Sequence, residues 1–244
     1  MILLLAAVPL ETTLLRDAMS NRTRLPCSRY ESLSGQLCGQ EIILAHSGIG
    51  QTGMARQLTF LLTRYSPEAV VLCGCGGGYP NSGLRVGDLA LASEEYFGDV
   101  GVLTPEGFRE LEQLAIPQEE EYAPRFRQTL PLDSKLREWA GNILGQPRCG
   151  RFVTVNCCSG TPESSRELEQ RTGGVCENME GAAAAMVCAD FSVPMLELRG
   201  ISNPTGTRDP ADWDIMRGVQ TAQEAVIKLL EQPFDFPRST PCST

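Results

Sequence analysis

Glu177-Asn178-Met179-Glu180-Gly181 runs into Ala182-Ala183-Ala184-Ala185, and an apolar stretch at 193–201 then ends in Ser202-Asn203. Residues 182–191 read as a helix whose small side chains let a neighbour pack close. Residues 193–201 read as a buried strand. A helix that feeds a buried strand is the repeating unit of an α/β protein. In such folds ligands collect where loops leave the carboxyl ends of the strands. The stretch therefore places a carboxylate, Glu180, at the mouth of a helix and a carboxamide, Asn203, at the end of a strand.

The alternation continues outward in both directions. Residues 2–8 read as a strand feeding a helix at 10–19, and 37–46 as a second extended segment closed by Ser47-Gly48-Ile49-Gly50. Met54, Leu58, Leu61 and Leu62 give 51–65 helical spacing. Residues 69–73 form a buried strand that runs into Gly74-Cys75-Gly76-Gly77-Gly78, and 86–92 resume the sheet. Helices are expected at 134–144, 163–171 and 212–230, and a strand at 151–155. Residues 97–130, with an acidic run at 119–121, read as a loop-like, lid-like insertion. Residues 233–244 carry three prolines and read as a loose tail after one catalytic domain, 1–232. The expected architecture is a single α/β domain, a mixed but mostly parallel sheet between two helical layers.

Composition narrows the function. The 244 residues suit one α/β unit, and a formal charge of −9 opposes a nucleic-acid groove, which needs a basic face. Ten cysteines in apolar or glycine-rich settings read as reduced core thiols. With a single histidine, His46, and no CxxC, no metal is expected. His46 reads as structural. The apolar run at 1–10 lacks a basic start and flows into Glu11, so it reads as a first strand rather than a signal peptide. No stretch reaches the roughly 20 apolar residues of a membrane helix. A cytoplasmic protein with no membrane partner is the expectation.

Taken singly, the motifs leave alternatives open. The glycines at 74–78 follow a strand but miss the dinucleotide fingerprint, because Tyr79 stands where its last glycine belongs. They fit a tight turn or a non-catalytic nucleotide-binding module equally well. Glu11 is either a helix-start carboxylate favoured by the helix dipole or a general base at a strand end. Asn203 is either a turn residue before Pro204 or a group facing a base. Arg208 and Asp209 read as a loop ion pair or as neighbours of that base.

Together the segments resemble the purine nucleoside phosphorylase and nucleosidase superfamily over roughly residues 2–230. The matching pieces are Ala7-Val8-Pro9-Leu10-Glu11, Ser47-Gly48-Ile49-Gly50, the glycines at 74–78 with Val86-Gly87-Asp88, Asn178-Met179-Glu180-Gly181-Ala182, and Arg199-Gly200-Ile201-Ser202-Asn203. The closing run 199–210 is similar to that of the futalosine-hydrolase branch. In 5′-methylthioadenosine/S-adenosylhomocysteine nucleosidases an aspartate normally stands at position 203.

The resemblance implies cleavage of an N-glycosidic bond, with Glu11 activating water and Glu180 accepting from the ribose hydroxyls. It implies Met179 beneath the ribose, Cys75 where nucleosidases usually have a small hydroxyl residue, and Gly76, Phe152 and Asp209 as further substrate-binding positions. It also implies a small-molecule nucleoside substrate, no cofactor and a homo-oligomer. An amide at 203 suits a 6-oxopurine, since its NH₂ can donate to O6 while a 6-aminopurine asks for an acid at N7. An acid at position 11 repels phosphate, which favours hydrolysis over phosphorolysis.

Overall fold

A computed structural model describes residues 1–26, 30–114 and 126–233. The first strand, β1 (Ile2–Ala6), lies at the centre of a sheet. It runs parallel to β4 (Gln40–His46) on one side and to β5 (Ala69–Gly78) on the other. β12 (Met195–Pro204) continues the parallel set beside β5. β1 and the first half of β5 are continuous apolar runs, as expected of strands covered on both faces, whereas β4 opens on Gln40-Glu41 and β12 carries Glu197 and Arg199 among its apolar residues.

Beyond β4 the sheet ends in two antiparallel strands, β3 (Ser32–Leu37) and β2 (Ser20–Leu25). Neither is expected from the sequence. β2 is exposed along almost its whole length, so its polar side chains carry no apolar alternation to read. On the other flank β6 (Leu89–Phe97) pairs antiparallel with β12 and parallel with β10 (Arg148–Thr154). A short strand, β11 (Cys176–Asn178), then pairs with both β10 and β5. That second pairing closes β5, β12, β6, β10 and β11 into a ring, a small barrel inside the larger sheet.

The two faces carry separate cores. Alternate β1 residues Leu3 and Leu5 pack under α2 (Gln51–Arg64) and α5 (Gly181–Asp190), while Ile2 and Leu4 pack under α6 (Ile215–Leu230) with help from α1 (Thr13–Ala18) and α3 (Ser134–Leu144). This is the expected three-layer α/β arrangement. α5 is buried nearly all round, which explains its run of alanines. α4 (Pro162–Thr172) covers the outer flank, with Thr161 capping its start and Gly173 ending it at φ 66°.

Other expectations shift. The helix foreseen at 10–19 splits into a 3-10 turn (Pro9–Thr12) and the short α1. Residues 86–88 belong to a turn in which Asp88 accepts from Arg85 N at 2.8 Å, so β6 starts later and runs longer than expected. The segment 97–130 is not wholly loop. It contains a hairpin of β7 (Gly101–Thr104) with β8 (Gly107–Glu110), and β9 (Thr129–Pro131) pairs with β6. The acidic run at 119–121 and the tail from 234 lie outside the described residues. No helix among the described residues is long and apolar enough to cross a membrane.

Candidate active site

The carboxyl ends of β1, β5 and β12 and the start of α5 converge on a cavity of about 400 Å³. Glu11, Cys75, Gly76, Met179, Glu180 and Asn203 all line it. Six positions scattered from residue 11 to residue 203 thus face one space.

Glu11 reaches it because Pro9 opens a tight turn that folds the side chain back over the end of β1. Its Oε2 accepts from Ala7 N at 3.0 Å and Val8 N at 3.2 Å, and its Oε1 accepts from Cys75 N at 3.0 Å. Burial pushes the Glu11 carboxyl above the usual carboxylate range, against the pull of Arg199 and the Cys75 amide. Gly74 makes room for it: a Cβ there would lie 2.3 Å from Glu11 Oε1 and 3.0 Å from Arg199 Nη1.

Glu180 immediately precedes α5. Its Oε1 accepts from Gly50 N at 2.9 Å, and its Oε2 forms an ion pair with Arg199 Nη1 at 3.5 Å. Thus the turn at 47–50 holds a protein carboxylate through the Gly50 amide. The start of α5 is tied down independently. Asn178 Oδ1 accepts from Glu180 N at 2.9 Å and Gly181 N at 2.7 Å, and Thr154 Oγ1 accepts from Ala182 N at 2.8 Å.

Asn203 sits at a register shift in the β12–β5 pairing, half-buried at the cavity wall. Its Nδ2 donates to Pro204 O at 2.9 Å, and its Oδ1 accepts from Ser202 Oγ at 2.8 Å. Because a carbonyl can only accept, the Pro204 contact fixes which end of the amide is nitrogen. The second Nδ2 hydrogen is left for a ligand acceptor.

Two expected positions are elsewhere. Phe152 on β10 is completely buried in the core under α2 and α5 and does not line the cavity, because its side chain alternates to the inner face of the ring. Asp209 is exposed and caps the turn Pro210–Asp212, accepting from Ala211 N at 2.9 Å. Its neighbour Arg208 reaches the cavity instead, stacked 4.5 Å from the Trp213 ring centroid. Asp209 and Arg208 form no loop ion pair. His46 is buried, with Nε2 2.7 Å from Thr12 Oγ1, and lines a different, smaller hollow. Burial lowers its pKa, consistent with a structural role.

Sequence reasoning missed several groups. Glu177 lines the cavity and is pinned by Ser159 N at 2.9 Å, Ser159 Oγ at 2.6 Å and Tyr79 OH at 3.1 Å. Arg199, only 1% exposed, stands between the acids. Its Nε donates to Glu197 Oε1 at 2.9 Å and its Nη1 to Cys75 O at 3.2 Å. The surrounding carboxylates hold its pKa above the ordinary guanidinium range against desolvation. A signal was available: Glu197 and Arg199 are alternate residues of an apolar strand, so they share one face. Burial pushes the Cys75 thiol up to about 12, which leaves it a neutral wall rather than a nucleophile.

The cavity can thus offer a buried base, a hydroxyl-accepting carboxylate and a hydrogen-bonding amide. Among the described residues no cluster of histidine, cysteine or acid is arranged to hold a metal ion.

Comparison with known proteins agrees with this geometry. The family model described as the phosphorylase superfamily matches residues 1–233. A 5′-methylthioadenosine/S-adenosylhomocysteine nucleosidase of Tolumonas auensis is 29% identical over 94% of this chain and 98% of its own. A futalosine hydrolase of Thermus thermophilus is 35% identical over 80% of this chain and 84% of its own. A nucleosidase from Neisseria meningitidis, solved with methylthio-immucillin-A, superposes with a TM-score of 0.81 at 22% identity, covering 94% of this chain and 98% of that one. The chain belongs to the phosphorylase superfamily and, within it, to the nucleosidases, enzymes that hydrolyse N-glycosidic bonds.

Proposed function

We propose that this nucleosidase acts on a 6-oxopurine nucleoside, futalosine, releasing hypoxanthine and dehypoxanthine futalosine in menaquinone biosynthesis. The observation that carries the reading is Asn203, an amide at the cavity wall with one Nδ2 hydrogen unspent. That hydrogen matches O6 of hypoxanthine, whereas an amide has no proton to give to N7 of adenine. Similarity to the Thermus thermophilus futalosine hydrolase supports the same choice.

In this reading the ribose lies over Met179 and its vicinal hydroxyls donate to Glu180. A water held by Glu11 attacks the anomeric carbon as the bond to the base breaks. The electron pair leaves with the base, which takes up a proton from solvent to become the free purine, balancing the one that Glu11 removes from the water. A buried carboxylate with a raised pKa is a stronger base than a free one, which suits it to take that water's proton. The developing positive charge on the sugar is opposed by Glu11 and Glu180. With Glu177 also on the wall, the acids disfavour phosphate as the attacking group. The enzyme is read as a cytoplasmic homo-oligomer without a cofactor, its catalytic unit spanning residues 1–232.

A second reading is favoured by coverage. Relatives named as 5′-methylthioadenosine/S-adenosylhomocysteine nucleosidases match 94% of the chain, against 80% for the futalosine hydrolase. The alternative is therefore an adenine-releasing nucleosidase, acting on methylthioadenosine, S-adenosylhomocysteine or aminodeoxyfutalosine. Base release from a panel of 6-oxo and 6-amino nucleosides, with and without phosphate, separates the two. Hypoxanthine release from futalosine should be fastest and indifferent to phosphate; faster adenine release assigns the second reading.

A further inference from the structure

Behind the cavity, two acids that do not line it meet inside the ring of strands. Glu95 on β6 and Glu197 on β12 are both 0% exposed. Glu95 Oε1 accepts from Asn178 Nδ2 at 2.8 Å, and its Oε2 lies 2.6 Å from Thr154 Oγ1. Asn178 and Thr154 are the groups that hold the first amides of α5, at whose mouth Glu180 stands. Glu197 Oε1 takes Arg199, which in turn faces Glu180 and Glu11. One acid thus supports α5 and the other supports the arginine.

The remaining oxygen is the telling one. Glu197 Oε2 is buried and finds no donor among the described residues. It borders, with Glu95 Oε1, the spot above Gly181: a Cβ there would lie 2.6 Å from the first and 2.1 Å from the second. Two ionised carboxylates side by side at full burial would repel strongly, and a buried orphan acceptor is costly. One proton between them removes both penalties. Glu95 is the acid that carries it, since Arg199 stabilises the ionised form of Glu197 directly.

We propose that Glu95 and Glu197 are positioning residues that share a single proton, Glu95 donating to Glu197 Oε2, and that this pair holds Arg199 and the start of α5 so that Glu11 and Glu180 face the substrate correctly. The surroundings agree. Burial raises both acids, and Glu197 adds to the rise of Glu95. Other titratable groups near the pair are Arg199, Glu180 and the thiols of Cys176 and Cys188, both held neutral by burial. The proposal rests on Glu11 and Glu180 being the working carboxylates, but not on which purine leaves.

The pair is tested in the full-length enzyme with whichever nucleoside it cleaves, by kcat, KM and the pH profile of kcat/KM. Glu95→Gln replaces the donating acid with a donating amide of equal charge. Its acid limb should not move, because the charge facing Arg199 and Glu11 is unchanged. Glu197→Gln takes the negative charge from Arg199, frees it to pull on Glu11, and should lower kcat by about 10-fold with the acid limb displaced to lower pH. If that variant does not fold, Glu197→Asp keeps the charge but withdraws it by one methylene, and the same loss of kcat is expected. Infrared spectra at neutral pH supply a readout that needs no turnover: a buried protonated-carboxyl band should be lost in Glu95→Gln. A band that persists, a displaced acid limb in Glu95→Gln, or wild-type kinetics in the Glu197 variant overturns the proposal. Absence of turnover in wild type, with the band present, would instead count against the proposed function alone.

Discussion

At the scale of single residues, the site is built from side chains whose ordinary chemistry is altered by where the backbone holds them. Glu11 shows this best. Three backbone amides and a nearby guanidinium favour its ionised form, yet burial outweighs them and its pKa is raised. A base must be ionised, so activity should fall as pH drops through a value above the usual carboxylate range, and the fall should begin earlier than for an exposed glutamate. Glu11→Gln should lose about 10²–10⁴-fold in kcat, the usual contribution of a general base, and the residual rate should lack that acid limb. Wild-type turnover in this variant would remove Glu11 from the chemistry. Asn203→Asp should move the ratio of 6-amino to 6-oxo cleavage upward, because an acid can protonate N7 where the amide cannot. An unchanged ratio would end the role given to Asn203 in reading the base. These residues were legible because each stands at a strand end or helix mouth, where the pattern of the chain changes. Phe152 and Asp209 had no such local signal, and their side chains point elsewhere. Glu95 was hidden for another reason: its partners Thr154 and Asn178 come from strands far away in sequence.

At the scale of elements, close approach between backbones decides what the sequence tolerates. β12 and α6 touch through glycine on both sides. A Cβ on Gly200 would lie 1.9 Å from Gly218 O and 3.2 Å from Ala222 N, so neither backbone leaves room for a side chain. Gly200→Ala must push α6 away from the strand that carries Arg199 and Asn203. Overpacking of this kind typically costs about 1–3 kcal/mol, and a loss of that size should appear as a lowered midpoint in chemical denaturation. An unchanged midpoint would mean that α6 shifts freely. Helices such as α2 and α6 were readable because their apolar faces recur at helical spacing. The strands at 20–37 were not, since an exposed edge has little apolar alternation. The hairpin inside 97–130 was missed because its strands are four residues each, too short to show a period.

At the scale of the whole molecule, the fold works by closing a sheet on itself beside a parallel centre. β11 is only three residues long, so nothing in the sequence announces that it joins β10 to β5. Yet that closure sets Glu177, Asn178 and the start of α5 against the glycines of β5. A Cβ on Gly76 would meet Cys176 Sγ at 2.6 Å, so the glycine run serves strand closure as much as ligand approach. Among the described residues the last core member is Leu230, where α6 ends with Glu231 N still donating to Ile227 O at 3.1 Å. The family match likewise stops at residue 233. If residues 1–232 are the catalytic unit, a chain ending at Gln232 keeps both described cores and every described wall of the cavity. Its thermal midpoint should lie within about 2 °C of the full chain, since a 1 kcal/mol change in a protein of this size moves the midpoint by about 2–4 °C. Its kcat and KM should be unchanged. A fall in KM-limited turnover with an unaltered midpoint would give the last residues a part in substrate binding, and a fall in the midpoint would extend the domain beyond 232.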